Sequence, residues 1–131
     1  MDKSYKGFEG LEVYKAARNF RIKITRVAKT FPQHENYLLR SQIVRSSRSI
    51  SANIAEGYGR FHYKEFIQFC RQARGSLSET LEHLLCALDD GYLSEEQLSD
   101  LRTDVQNLLR LLNGFINYLQ KQIQNNTSKS L

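Results

Sequence analysis

The side chains best placed to do chemistry form three groups. Lys15, Arg18, Arg21, Lys23, Arg26 and Lys29 recur at steps of two or three, and only Glu12 opposes them nearby. On a helical wheel they share one solvent arc. Such a face offers phosphate binding, because each phosphate neutralised by Lys or Arg releases a condensed counterion. It also fits a plain solvated surface, which is what most charge runs are. The second group is polar: Gln42, Arg45, Ser49, Asn53 and Glu56 follow one another at steps of three, four, four and three. Glu65, Gln72, Ser76, Glu79 and His83 form a comparable row further along. Two readings stay open for these rows. They join helices or subunits and fix register through hydrogen bonds and ion pairs, or they line a groove. The third group is aromatic, with Tyr58, Phe61 and Tyr63 beside Arg60 and Lys64. These rings suit stacking on bases and suit equally the capping of a core.

Catalytic and metal chemistry finds little support. A ferritin-like site needs Glu-x-x-His on two helices, whereas Glu79 and His83 are one residue further apart and have no second copy. His83 and Cys86 supply two zinc ligands at i, i+3, but His34, His62 and Cys70 provide no matching pair to complete four. Ser46, Ser47, Ser49 and Ser51 lack a nucleophile elbow or a neighbouring base. Gly57-Tyr58-Gly59 follows a helix and matches no phosphate-cradling loop. The sequence therefore predicts no catalytic residue, no metal and no cofactor.

Four amphipathic helices must position these groups. Val13, Ala17, Phe20, Ile24, Val27 and Phe31 recur at three- and four-residue steps, which predicts a helix over about 10–31, ended at Pro32. A second, over about 36–57, starts with Asn36 as cap, buries Leu39, Ile43, Ile50 and Ile54, and breaks at Gly57-Tyr58-Gly59. The third, over about 62–89, carries Phe66, Cys70, Ala73, Leu77, Leu81, Leu84 and Leu88 and ends at Asp89-Asp90-Gly91. Ser94-Glu95-Glu96-Gln97 has the pattern of a capping box. It opens a fourth helix over about 95–123, with Leu98, Leu101, Val105, Leu108, Leu112, Phe115, Leu119 and Ile123 as its stripe and a frayed polar tail over 125–131. Short connections between long amphipathic helices predict an all-α, antiparallel up-down-up-down four-helix bundle, one domain over 1–131. On this reading Arg45 sits near the level of Ser76 and Glu79, because each lies about as far from the turn at Arg60 and Phe61.

Composition agrees with that architecture. The chain has 131 residues, 40% hydrophobic and 25% charged, with seven Tyr, seven Phe and one Pro. That is too apolar for disorder and too poor in turn residues for an all-β domain. No run of about 18 apolar residues suggests a membrane span, and the first residues lack a signal-peptide core, so the expected location is cytoplasmic. Cys70 and Cys86 fall on one predicted helix, roughly 24 Å apart by rise, which excludes a disulfide between them. Net charge is +5, but residues 1–75 hold 15 Lys/Arg against 6 Asp/Glu, while residues 76–131 hold 4 against 8. The division suggests a basic face for an anionic partner, or a basic surface on one subunit meeting an acidic one on the next. Ile22, expected to be exposed among the cations, and the polar second rows also point to self-association.

Gln42 to Gly59, read as Q-I-V-R-S-S-R-S-I-S-A-N-I-A-E-G-Y-G, resembles the four-helix-bundle proteins encoded in intervening sequences of bacterial 23S rRNA genes. Relatives in that family act as accessory proteins of diversity-generating retroelements. The resemblance extends from about Leu11 to Leu119 through Phe31-Pro32, Glu35, Arg45, Ser49-Ile50, Asn53-Ile54-Ala55-Glu56-Gly57, Ala73, Gly75-Ser76, Glu79 and Gly91-Tyr92-Leu93. Tyr14 stands where the family commonly has Trp or Tyr. The resemblance implies a ring-shaped homopentamer without catalytic activity and with a role in RNA or DNA binding; in the retroelement relatives it implies docking of a reverse transcriptase.

Taken together, the expected function is a non-catalytic homo-oligomer that binds nucleic acid through the helix-1 cations. Gln42, Arg45, Ser49, Asn53, Glu56, Ser76 and Glu79 are then a structural polar network. The alternative is a structural adaptor that docks a protein partner such as a reverse transcriptase.

Overall fold

A computed structural model describes residues 7–130, and side chains through Asn126. Among the described residues every regular element is helical. A 3-10 turn, Gly7–Gly10, leads into α1 (Glu12–Ala28). A second 3-10 turn, Gln33–Glu35, precedes α2 (Leu39–Gly59), and α3 (Tyr63–Asp89) and α4 (Glu95–Ser130) follow. Short connections make neighbours antiparallel, and α4 returns against α1 to close a four-helix bundle. The stripes meet in one core in which Ile24, Ile43, Ile50, Ile54, Leu77, Leu84, Leu108, Leu112 and Leu119 are almost wholly buried.

The helix ends differ from the sequence pattern in instructive ways. α1 stops at Ala28, not at Phe31, because its last turn tightens: the Thr30 and Phe31 N–H groups bond the carbonyls three residues back, and the Thr30 hydroxyl donates to the Val27 carbonyl. Phe31 nevertheless stays buried. Helix α2 begins at Leu39, and Asn36 does not cap it. Instead the Glu35 carboxylate accepts the Leu39 N–H at 3.3 Å, since Pro32 starts a turn that occupies the chain up to Leu38.

Gly57 and Gly59 do not break α2, which runs through Gly59; Phe61, with φ 58°, takes the left-handed position after it. Gly57 is there for closeness. A Cβ at this position would lie 2.6 Å from Phe66 Cδ1 and 2.8 Å from Phe69 Cβ, so only hydrogen lets α3 approach. Gly91, with φ 81°, ends α3 in a Schellman arrangement in which Tyr92 N–H bonds the Ala87 carbonyl and Gly91 N–H bonds that of Leu88. At the start of α4 the capping box forms reciprocally, Gln97 N–H to Ser94 Oγ at 3.1 Å and Ser94 N–H to Gln97 Oε1 at 2.8 Å. The expected frayed tail is helical through Ser130, because nothing between Asn125 and Ser130 is Pro or Gly and an established helix propagates at little cost; Leu131 lies outside the described residues.

Candidate nucleic-acid interface

The cations of α1 span a wide arc opposite Val13, Ala17, Phe20, Ile24 and Ala28, and the structure divides their tasks. At one edge Arg21, half-buried, donates from Nε to Ser51 Oγ of α2 at 3.0 Å. At the other edge Lys23 reaches Asp104 of α4 at 2.6 Å. Lys15 pairs with Glu12 at 3.4 Å in open solvent, where such a pair contributes little and gives way readily to another anion. Arg18, Arg26 and Lys29 are exposed and form no ion pair among the described residues. Ile22, among them, is half-buried and not exposed as expected. Four of the six predicted cations therefore remain accessible to an external anion, and two hold α1 to its neighbours. On α2, Arg48 is exposed without an ion pair among the described residues, and Arg45, 70% exposed, meets Glu79 at 3.5 Å.

The polar rows come together along the seam between α2 and α3. Ser76 Oγ donates to Ser49 Oγ at 2.9 Å, and the Asn53 amide donates to Ser49 Oγ at 3.0 Å and to its carbonyl at 2.8 Å. The Arg45–Glu79 contact expected from the register is present within one chain, and His83 joins it 3.1 Å from Glu79 Oε2. Two members of the proposed network stand apart: Glu56 pairs with Arg60 one turn along its own helix at 2.9 Å, and Gln42 is exposed. The deepest pair of this seam carried no signal in either polar row. Ser46 and Thr80 are almost wholly buried, with hydroxyls 2.8 Å apart; the Ile43 carbonyl lies 3.2 Å from Ser46 Oγ and the Ser76 carbonyl 2.9 Å from Thr80 Oγ1, so one hydroxyl donates across the seam and the other to its own helix. Both belong to the apolar faces by spacing, and a small polar residue on such a face was the available clue.

A further cluster locks the end where the α1–α2 and α3–α4 connections lie. The Tyr92 hydroxyl donates to Glu35 Oε2 at 2.8 Å, His34 lies 3.1 Å from the same hydroxyl, and the Phe31 and Tyr92 rings pack 5.7 Å apart. The Tyr92 hydrogen bond, helped by the Leu39 N–H, holds the Glu35 carboxyl below the usual range. The same bond to the carboxylate pushes the Tyr92 phenol up to about 12. Glu35 and Tyr92 thus act as a tie between the two connections, their bond favouring the ionised carboxylate and the neutral phenol. Burial pushes the Cys70 thiol up to about 12, and burial with the adjacent Glu82 raises that of Cys86. Neither cysteine is primed as a nucleophile, since the thiolate is the reactive form, and both are free.

Around the opposite end, Tyr58, Phe61, Tyr63, Phe66, Phe115 and Tyr118 line a largely apolar groove of about 330 Å³. Tyr58 sits half-buried between Phe8, Phe61 and Phe66, with ring centroids 6.1–6.3 Å away, whereas Phe61 is 82% exposed. The turn aromatics thus divide between capping the core and facing solvent. Among the described residues no three His, Cys, Asp or Glu side chains converge as metal ligands, and no helix is long and apolar enough to cross a membrane.

Comparison with known proteins gives these features a lineage. No curated protein matches the chain. A protein of unknown function from the S23 ribosomal protein family of Bacteroides thetaiotaomicron VPI-5482, known from its crystal structure, is similar to it with 26% identity and a TM-score of 0.73. The likeness covers 79% of this chain and 97% of that one. Residues 9–114 match the family described as 23S rRNA-intervening sequence protein, a span that holds the α1 cations, the α2–α3 hydroxyl seam and the Glu35–Tyr92 tie. The chain belongs to the 23S rRNA-intervening sequence protein family.

Proposed function

We propose that the protein is a non-catalytic, self-assembling cytoplasmic bundle that binds RNA or DNA through the outer face of α1. The observation that carries this reading is the set Arg18, Arg26 and Lys29, exposed cations without ion pairs among the described residues, on a face where Arg21 and Lys23 are spent on holding α1 to its neighbours. Lys15 adds a fourth, and Arg45 and Arg48 extend positive charge onto α2. Binding by such a face neutralises phosphates without reading base edges, so affinity is indifferent to sequence and steep in salt. Assembly into five copies, as the family resemblance implies, repeats the face and multiplies its avidity.

The test is a salt titration of binding to labelled RNA, single-stranded DNA and duplex. Engaging four to six phosphates gives a slope of log affinity against log salt between roughly −3 and −5. Replacing Lys15, Arg18, Arg26 and Lys29 by Gln flattens the slope and leaves helical content and assembly unchanged, since all four point away from the core. Absence of any retention at low salt overturns nucleic-acid binding, and light scattering that returns a mass near 15.3 kDa overturns assembly. One observation favours a second reading: the groove at the α2–α3 turn, with Phe61 82% and Tyr118 52% exposed, suits an adaptor docking a protein partner such as a reverse transcriptase.

A further inference from the structure

The start of α2 carries an arrangement that the α1 face does not. Tyr37 projects from the α1–α2 connection with 93% of its surface exposed. It opens a shallow groove lined by Arg40, Ser41, Val44, Arg45 and Arg48. The three cations differ in what they can do. Arg40 is half-buried and committed to the fold, its guanidinium donating to the carbonyls of Lys29 and Phe31, so it shapes the groove wall. Among the described residues Arg48 is exposed without an ion pair, and Arg45 is held by the exposed contact to Glu79. From Leu39 to Arg48 the groove follows roughly 14 Å of helix. Among the described residues no acidic side chain lines it, and the half-buried Val44 contributes an apolar side chain to its wall.

We infer that this groove binds single-stranded nucleic acid, with an unpaired base stacked on the Tyr37 ring and the adjoining phosphates on Arg48 and Arg45. The inference rests on the nucleic-acid reading above and adds to it a preference for single strands. An aromatic ring beside cations along one track is the combination that holds a single strand, because every base has a π-face to stack and every linkage a negative charge. A duplex keeps its base faces stacked inside and can use only the cations. Among the described residues the α1 face offers charge without an exposed ring and so binds both forms alike; the α2 groove separates them. Tyr37 contributes almost nothing to the core, so changing it leaves the fold intact.

The test compares fluorescein-labelled oligothymidylate with a labelled blunt duplex, using fluorescence anisotropy on the full chain. Tyr37→Ala weakens single-strand binding about fivefold to a hundredfold and leaves duplex binding and helical content unchanged. Tyr37→Phe retains single-strand binding, since the ring and not the hydroxyl acts. Arg48→Gln makes the single-strand salt slope shallower by about 0.7, one phosphate's share. The inference is overturned if Tyr37→Ala changes neither ligand or both equally, if Tyr37→Phe is as weak as Tyr37→Ala, or if the wild-type chain binds only duplex. Loss of binding in the quadruple α1 variant with no effect of Tyr37→Ala removes this groove and keeps the α1 reading; no binding by the wild-type chain removes both.

Discussion

Along α2 and α3 small residues meet at two levels, where the helices close until hydroxyl touches hydroxyl at 2.8–2.9 Å in the pairs Ser46–Thr80 and Ser49–Ser76. Gly57 completes this approach against Phe66 and Phe69. Along α1 and α4 the facing residues are longer, among them Phe20, Lys23, Asp104, Leu108 and Leu111, and a groove of about 180 Å³ remains open beside the Lys23–Asp104 bridge. Leu111 stays 41% exposed there. Both seams bury an apolar stripe, yet the α2–α3 seam buries the Ser46 and Thr80 hydroxyls almost completely, whereas the α1–α4 seam leaves Leu111 and the Lys23–Asp104 bridge open to solvent. Buried polar atoms must find partners, so the tight seam has its hydroxyls bonded within the chain. Charge is free to meet an outside ligand only where solvent reaches it, which is where the candidate interface lies.

The sharpest way to break that contrast is to add one carbon on the tight side. Gly57→Ala places a Cβ against Phe69 Cβ, an atom tied to the α3 backbone, and overpacking of this kind costs about 1–3 kcal/mol. The gain of up to about 1 kcal/mol from alanine's better helix propensity offsets only part of it. Gly59→Ala, two residues on in the same helix with nothing within 4 Å, keeps that gain and stabilises. Chemical denaturation midpoints that move in the same direction for both variants would show that α2 and α3 are not in close approach at Gly57.

Next in size is the buried hydroxyl pair. Thr80→Val removes one partner from Ser46, which retains the Ile43 carbonyl, so the expected loss is about 1 kcal/mol. Combined with Ser46→Ala, the double variant loses less than the two singles together, with a coupling of about 0.5–1.5 kcal/mol measured by a double-mutant cycle. Strict additivity would mean that the two hydroxyls do not interact.

The smallest effect belongs to the open side. Lys23→Gln removes the bridge to Asp104, where both groups keep solvent access, and costs a few tenths of a kcal/mol, declining further with added salt. A salt-insensitive loss as large as that of Gly57→Ala would place the α1–α4 seam on the same footing as α2–α3.

The apolar stripes were readable because each is a periodic property of a single segment: Ile24, Ile43, Ile50, Ile54, Leu77, Leu84, Leu112 and Leu119 repeat at helical spacing and all lie in the core. The Ser94 capping box and the Gly91 terminus were readable for the same reason, since their partners lie within a few residues. The Arg45–Glu79 contact followed from counting turns on either side of one short connection. Asn36 and the Gly57–Gly59 pair misled because each has a common local use that a long-range demand overrode: Glu35 caps α2 instead, and Gly57 admits α3.

By itself, then, the sequence determined four helices, their order, the stripes they bury and the basic character of α1, all properties set by spacing along the chain. Only the tertiary structure decided which cations are occupied and which are available. Arg21 and Lys23 look like Arg18 and Arg26 in spacing, but they stand at the edges of the arc where α2 and α4 supply Ser51 and Asp104. It decided as well that the Ser46 and Thr80 hydroxyls meet in one hydrogen bond in the core, and that Tyr92 ties to Glu35 from 57 residues away. The physical reason is that helical periodicity is encoded within each segment. Partners across a seam depend on how closely and at what level two helices pack, which involves both helices and every side chain between them.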